Sequence, residues 1–212
     1  MRAARDAATP AQWFELVGRF PAFLSIQQPS EIIGLLELVR QAQPQSVCEI
    51  GSALGGTSFL LTRAASPRAL VVLIDPAFDG ARTGALRRFA GPTQRMVCIG
   101  GSSTDPGVRR SLEQELDGRP LDFLFIDGDH TYEGVAADFA LYSPLVRVGG
   151  LIAFHDVQPD HRERTGTSIG SWSGGVPRLW VELKARYRAS AREFVADQNQ
   201  DGYGIGVLTW PG

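Results

Sequence analysis

Two of the three histidines in this 212-residue chain, and five of its acids, fall where apolar runs end. Glu49 lies near the end of Val47-Cys48-Glu49-Ile50, and Asp75 closes Leu70-Val71-Val72-Leu73-Ile74. Asp127 closes Leu121-Asp122-Phe123-Leu124-Phe125-Ile126 and is followed by Asp129 and His130, while His155-Asp156 close Leu151-Ile152-Ala153-Phe154. Packing gives no reason to finish four of five strands in a carboxylate. These residue types carry two kinds of chemistry. An imidazole with its pKa near neutrality accepts a proton from a hydroxyl unaided. Carboxylates are the oxygen ligands that hard divalent cations take, and an added imidazole widens the choice of ion.

A second group of residues looks built to hold a ligand rather than to react. Glu49-Ile50-Gly51-Ser52-Ala53-Leu54-Gly55-Gly56-Thr57 has the spacing acid-x-Gly-x-x-x-Gly, between a strand and a helix N-terminus. A dinucleotide site reads G-x-G-x-x-G and a nucleotide-phosphate loop needs G-x-x-x-x-G-K-[ST]. Neither is present, and Lys184, the only lysine, lies far along the chain. The loop therefore suits a ligand without a pyrophosphate. Asp75, ending the next strand, stands where α/β nucleotide sites bind a ribose diol. Glu49 can accept hydrogen bonds from an ammonium or hydroxyls, and a ligand with a ribose, an amino-acid end and no phosphates is S-adenosylmethionine.

At this point the chain resembles the class I S-adenosylmethionine-dependent methyltransferases. Two further stretches narrow the likeness: Phe125-Ile126-Asp127-Gly128-Asp129-His130-Thr131-Tyr132-Glu133-Gly134-Val135, and Pro144 to Asp156 with Val148-Gly149-Gly150 inside it. These are similar to the small-molecule O-methyltransferases of methyltransferase family 24, relatives of the metal-dependent sugar and catechol enzymes. The resemblance implies that Glu49, Gly51, Ser52, Ala53, Gly55, Gly56 and Thr57 hold the methionine end and that Asp75 holds the ribose. It places Ser102 and Ser103 beside the adenine and Asp127 at the donor site. Ser102 stands where the family often has an acid. The metal ligands of such relatives match Asp127, His155 and Asp156, His155 replacing a more usual carboxylate; Mg²⁺ or Mn²⁺ is the cation implied. The base matches His130 on the catechol pattern and Asp129 on the sugar pattern. His130 is preferred narrowly.

The implied reaction is direct displacement of the sulfonium methyl by a hydroxyl of a small-molecule acceptor, a sugar or natural product. Two alternatives share the fold: metal-free N- or O-methylation, and donor binding without transfer. The stretch Gln158 to Val176, with Gly166, Gly170, Gly174, Gly175 and Trp172, reads as a cover over the acceptor.

These residues must be positioned by a doubly wound parallel α/β sheet of the Rossmann-like methyltransferase kind. Five apolar runs without alternation indicate strands buried on both faces, with helices between them. Expected strands are Ser46 to Ile50, the run to Asp75, Arg95 to Ile99, Leu121 to Asp127 and Leu151 to Asp156. A helix from Arg178 and two strands, Glu193 to Ala196 and Gly204 to Trp210, complete seven strands with a terminal antiparallel hairpin. Ser30 is the expected N-cap of the helix that precedes the first strand. Residues 1–26, with Ala11 to Val17 amphipathic, read as a helical lid or a homodimer contact, and 27–212 as the methyltransferase domain.

Composition excludes other classes. A net charge of −2 leaves no basic face for nucleic acid, and no N/D-P-P-Y/W motif is present. No apolar run reaches membrane-span length, and Met1 to Asp6 has no apolar region behind it, so the expected location is cytoplasmic. Cys48 and Cys98 read as small buried residues in strands.

Overall fold

The computed structural model of the protein describes residues 8–167 and 172–212. Among these residues seven strands form one sheet, in the order β3-β2-β1-β4-β5-β7-β6. They are β1 (Ser46–Ile50), β2 (Leu70–Asp75), β3 (Arg95–Gly100), β4 (Leu121–Ile126), β5 (Val146–His155), β6 (Ala191–Phe194) and β7 (Ile205–Thr209). β1 to β5 run parallel, and β7 is antiparallel to both β5 and β6. The doubly wound sheet with its antiparallel end is thus as expected.

The helices are α1 (Pro10–Gly18), α2 (Pro29–Ala42), α3 (Gly56–Ala64), α4 (Gly80–Leu86), α5 (Pro106–Leu116), α6 (Tyr132–Tyr142), α7 (His161–Thr165) and α8 (Val176–Tyr187). Successive strand side chains alternate between faces, which divides the core in two. Val47, Val71, Phe123 and Phe125 pack with Trp13, Ile32, Leu35, Leu36, Leu60 and Leu61 from α1, α2 and α3. Cys48, Val72, Leu124 and Ile152 pack with Leu112, Val135, Tyr142, Trp180 and Leu183 from α5, α6 and α8. Both faces are covered, which is why the strands read as unbroken apolar runs. α1 joins the first core through Trp13 and Val17.

Several boundaries differ from expectation. β5 starts at Val146, because the chain already pairs with β4 at Leu121↔Val146 before a register shift next to Phe123↔Leu151. The hairpin strands lie at Ala191–Phe194 and Ile205–Thr209, a register fixed by pairs such as Phe194↔Ile205 and Ala191↔Leu208. Ser30 is not the N-cap of α2: Gln28 occupies that place, without a side-chain cap, and Pro29 opens the helix with its preset φ. The buried Glu31 beside it accepts instead from the tail, at Ala196 N (3.0 Å), Gln200 Nε2 (2.6 Å) and Gly204 N (2.8 Å). Among the described residues no helix is long and apolar enough to cross a membrane.

Candidate active site

β1 has β2 on one side and β4 on the other, so consecutive connections leave in opposite directions. Ligands of open α/β sheets bind at that reversal, beyond the strand carboxyl ends. Gly51 turns the chain out of β1 with φ +82°, and a Cβ there would fall 2.0 Å from the carbonyl oxygen of Asp127. Only glycine lets the loop lie directly on the end of β4. Gly55 then ends the loop in the left-handed region, and α3 begins with no side-chain cap. Its N-terminal amides and dipole form a place for a carboxylate.

Glu49 sits beneath this loop, fully buried. Ser52 Oγ (3.2 Å) and Ser58 Oγ donate to its Oε2, whereas its Oε1 has no hydrogen-bond partner among the described residues. Burial pushes the carboxyl up to about 8, with the serine hydroxyls opposing and Asp127 and Asp75 reinforcing the shift. Asp75 holds the loop from the other side. Its Oδ2 accepts from Ser52 N (2.9 Å) and Ala53 N (3.1 Å), and its Oδ1 from Ala77 N (2.8 Å). The Ala53 bond matters because that residue is held at φ +40°, a conformation costly for alanine.

The turn after β3 carries Ser102 and Ser103. Ser102 Oγ pairs with Thr104 Oγ1 at 2.8 Å, and the Ser103 carbonyl accepts from Tyr142 Oη at 2.7 Å. Asp138, one turn before Tyr142 on α6, is fully buried beside this turn. Burial raises its carboxyl to about 6, against a lowering contact from the Ser103 hydroxyl.

The acids and imidazoles beyond β4 and β5 form one cluster. Asp127 Oδ1 lies 3.1 Å from His155 Nδ1 and 3.5 Å from His130 Nε2. Asp156 Oδ2 lies 3.3 Å from His130 Nδ1 and 3.4 Å from His155 Nδ1, while its Oδ1 accepts from Tyr203 N at 3.0 Å. Burial alone would raise Asp127, but the two imidazoles outweigh it and hold the carboxyl down at about 2. Burial likewise works against protonated His130 and His155, yet the facing acids lift them to about 9 and about 10. The two imidazoles therefore neutralise the two carboxylates.

One ligand atom each from Asp127, His130 and Asp156 lies within 4.8 Å of the others, an ion-sized grouping among the described residues. His155, expected in that set, directs Nδ1 at both carboxylates and leaves a buried Nε2 without a partner among the described residues. Asp129 also stands apart. It is exposed, accepts from Thr131 N at 2.8 Å, and packs on Gly134 of α6, so local backbone bonding turns it away from the cluster. His130 is the base candidate that the cluster contains. Thr131 caps α6, its side chain accepting from Gly134 N.

Residues 24–28 bring in side chains that the sequence reading did not single out. Ser25 Oγ pairs with Thr57 Oγ1 at 3.0 Å, and Gln27 Nε2 donates to Asp127 Oδ2 at 2.9 Å. Nothing in Ser25-Ile26-Gln27-Gln28-Pro29 signals this, since an extended segment before proline has no periodic pattern. Asp138 did leave a signal: it interrupts the apolar stripe Val135, Phe139, Tyr142 of α6. Of the cover expected from Gln158 to Val176, residues 168–171, including Gly170, lie outside the described residues. The rest contains α7 and Trp172, which is exposed with its ring 5.4 Å from that of His130.

A family model described as a methyltransferase domain matches residues 48–157, the span from β1 to just past β5. The chain belongs to that methyltransferase family. An uncharacterized protein of Acanthamoeba polyphaga mimivirus is 35% identical over 120 residues, 54% of this chain and 52% of that protein. The match thus spans about half the length of this relative. Among solved structures, the O-methyltransferase from Bacillus cereus in complex with SAH has a TM-score of 0.62 at 20% identity, covering 98% of this chain and 96% of that one. TomG from Streptomyces achromogenes, an O-methyltransferase of tomaymycin synthesis in complex with SAM, has a TM-score of 0.60 at 18% identity, covering 96% and 88%. MycE of the mycinamycin pathway, in complex with Mg and SAH, has a TM-score of 0.59 at 19% identity, covering 96% and 54%. At these identities the likeness is one of fold.

Proposed function

We propose that the protein transfers a methyl group from S-adenosylmethionine to a hydroxyl of a small-molecule acceptor, a sugar or natural product. The observation that carries this reading is the backbone contact of Gly51 with Asp127, which joins the ligand loop to the acid–imidazole cluster. A donor seated over the loop would have its methionine end at the α3 N-terminus, Thr57 and Glu49. Its ribose would meet Asp75, and its adenine the Ser102-Ser103 turn. That seating points the sulfonium methyl toward Asp127 and His130. The acceptor oxygen attacks the methyl carbon, the carbon–sulfur bond breaks, and sulfur keeps the electron pair as S-adenosylhomocysteine. In the metal-free form the hydroxyl proton passes to His130 Nε2 in the fraction of the enzyme whose imidazole is neutral, a fraction that grows as pH rises toward 9. Since the donor is already activated, alignment supplies most of the acceleration.

Asp127, Asp156 and His130 fit a divalent cation by number and by donor type, and the imidazole favours Mn²⁺ at least as much as Mg²⁺. Such an ion, when bound, would make a coordinated hydroxyl more acidic. The paired imidazoles and carboxylates also support a metal-free reading, in which His130 needs no ion.

Titration calorimetry with S-adenosylhomocysteine tests the donor site: a Kd below about 100 μM supports it, and no heat refutes it. Methyl transfer to a panel of phenols and sugars tests catalysis against donor binding alone. Chelator dialysis followed by Mg²⁺ or Mn²⁺ then separates the metal-assisted reading, which requires restored activity, from the metal-free one.

A further inference from the structure

The stretch from Trp172 to Gly175 touches His130 more closely than a cover over an acceptor requires. Gly174 has φ +60°, and a Cβ on it would fall 2.1 Å from the His130 carbonyl oxygen. That same oxygen accepts from Gly175 N at 2.7 Å. The chain therefore lies flat on residue 130, and from there the Trp172 carbonyl faces His130 Nδ1 at 3.0 Å.

What holds this stretch is a reciprocal pair at the neck of the loop. Asp160 N donates to Ser173 Oγ at 3.0 Å, and Ser173 N donates to Asp160 Oδ2 at 3.0 Å. Asp160 Oδ1 also accepts from Glu163 N at 2.8 Å, at the start of α7. Both residues are buried, at 2% and 0% exposure. Every polar atom of the neck is thus paired inside the protein, and breaking one member strands the other in a water-poor place.

The groups around the imidazole decide which nitrogen carries its proton. The Trp172 carbonyl can only accept, and an oxygen of the Asp156 carboxylate lies 3.3 Å from the same Nδ1. Two acceptors facing Nδ1 require a hydrogen there. Nε2 faces a single acceptor, Asp127 Oδ1, at a longer 3.5 Å, so when the ring is neutral it is Nε2 that is bare.

We infer that Asp160 and Ser173 are positioning residues for His130. Through the Trp172 carbonyl they hold the imidazole as its Nδ1–H tautomer and present Nε2 to the reacting hydroxyl. The catalytic consequence rests on the reading of His130 as base, but the tautomer itself does not. The Trp172 side chain is a separate matter, since Trp172→Ala keeps the carbonyl.

The test is ¹⁵N NMR of the chelator-dialysed protein labelled at histidine, which has only His130, His155 and His161 to resolve. His130 is assigned by the signals lost in His130→Asn, and spectra are taken at a pH where it is neutral. The wild type is expected to show His130 with a protonated Nδ1 and a bare Nε2, and Trp172→Ala to show the same. Ser173→Ala and Asp160→Ala are expected to return it toward the Nε2–H form usual in water. Their affinity for S-adenosylhomocysteine should stay within about twofold of wild type. A wild-type His130 with a bare Nδ1 overturns the inference, as does a Ser173→Ala spectrum identical to wild type. A tautomer change accompanied by equal loss of affinity overturns it too, because the neck would then be supporting the whole site. If Asp160→Ala does not fold, Ser173→Ala carries the test. If the wild type binds no S-adenosylhomocysteine, the donor reading fails while the spectra still decide the tautomer.

Discussion

Gln27 and Asp127, one hundred residues apart in the chain, are joined by a 2.9 Å bond from Nε2 to Oδ2. The amide's other end, Oε1, is buried without a partner among the described residues. A buried acceptor left unpaired costs free energy, on the order of 1–3 kcal/mol, and a ligand donor would remove that cost. The methionine ammonium is the donor that the proposed seating brings nearest. Gln27→Leu is therefore expected to weaken S-adenosylhomocysteine by about tenfold and to leave 5′-methylthioadenosine, which lacks the amino-acid end, nearly unchanged. Calorimetry with both ligands checks this; equal losses would mean that Gln27 merely supports the fold.

His130 and Asp129 separate the two ways in which related enzymes take a proton. Only His130 reaches the cluster, so His130→Asn should lower methyl transfer by about a hundredfold or more with the donor still bound. Asp129→Asn should cost far less, since its carboxylate is spent on Thr131 N. Initial rates on one acceptor from the panel suffice, and the reverse ranking would move the base to Asp129.

Glu49 makes stability depend on pH in a defined direction. Its folded value of about 8 lies above the ordinary 4.5. Below 4.5 the carboxyl is protonated in folded and unfolded chains alike, and its burial carries no charge penalty. As pH rises toward 8 the unfolded chain releases this proton and the folded one does not, so stability falls. Glu49→Gln, keeping the shape without the charge, is expected to flatten melting temperature against pH over that window and to melt higher above pH 7. It should also bind donor more weakly. Parallel slopes for the two proteins would show that Glu49 ionises normally.

Glu31 is the corresponding point on the structural side. Three donors from residues 196–204 converge on one buried carboxylate. Glu31→Ala should cost about 2–4 kcal/mol, read as a lower urea midpoint with an unchanged slope. A loss under about 0.5 kcal/mol would mean that water takes the place of the carboxylate.

Most of the fold was legible because four of the five parallel strands announce themselves twice, in an apolar run and in the polar residue near its end, β3 alone ending in glycine. The residues along the strand ends were therefore found: Glu49, Asp75, Asp127, His155 and Asp156 all lie at the carboxyl edge. What could not be read was the direction of side chains. Asp129 and His130 are neighbours in sequence, yet a turn sends one to its own backbone and the other into the cluster. Ser30 has the chemistry of a cap, but Pro29 moves the helix start ahead of it. Gln27, Asp160 and Ser173 act through contacts between distant segments, for which a single sequence has no periodicity to offer.

The sheet order also bears on how the protein is made. β7 is the last of the seven strands to be synthesised, yet it belongs in the interior, between β5 and β6, where Ile205 pairs with His155. Until residues 205–209 leave the ribosome, the flank of β5 that ends in His155 has nothing to bond to. A nascent chain stalled before that point would offer an open, apolar strand edge to its neighbours. The acid–imidazole cluster and the protection of the sheet are thus finished in the same late step.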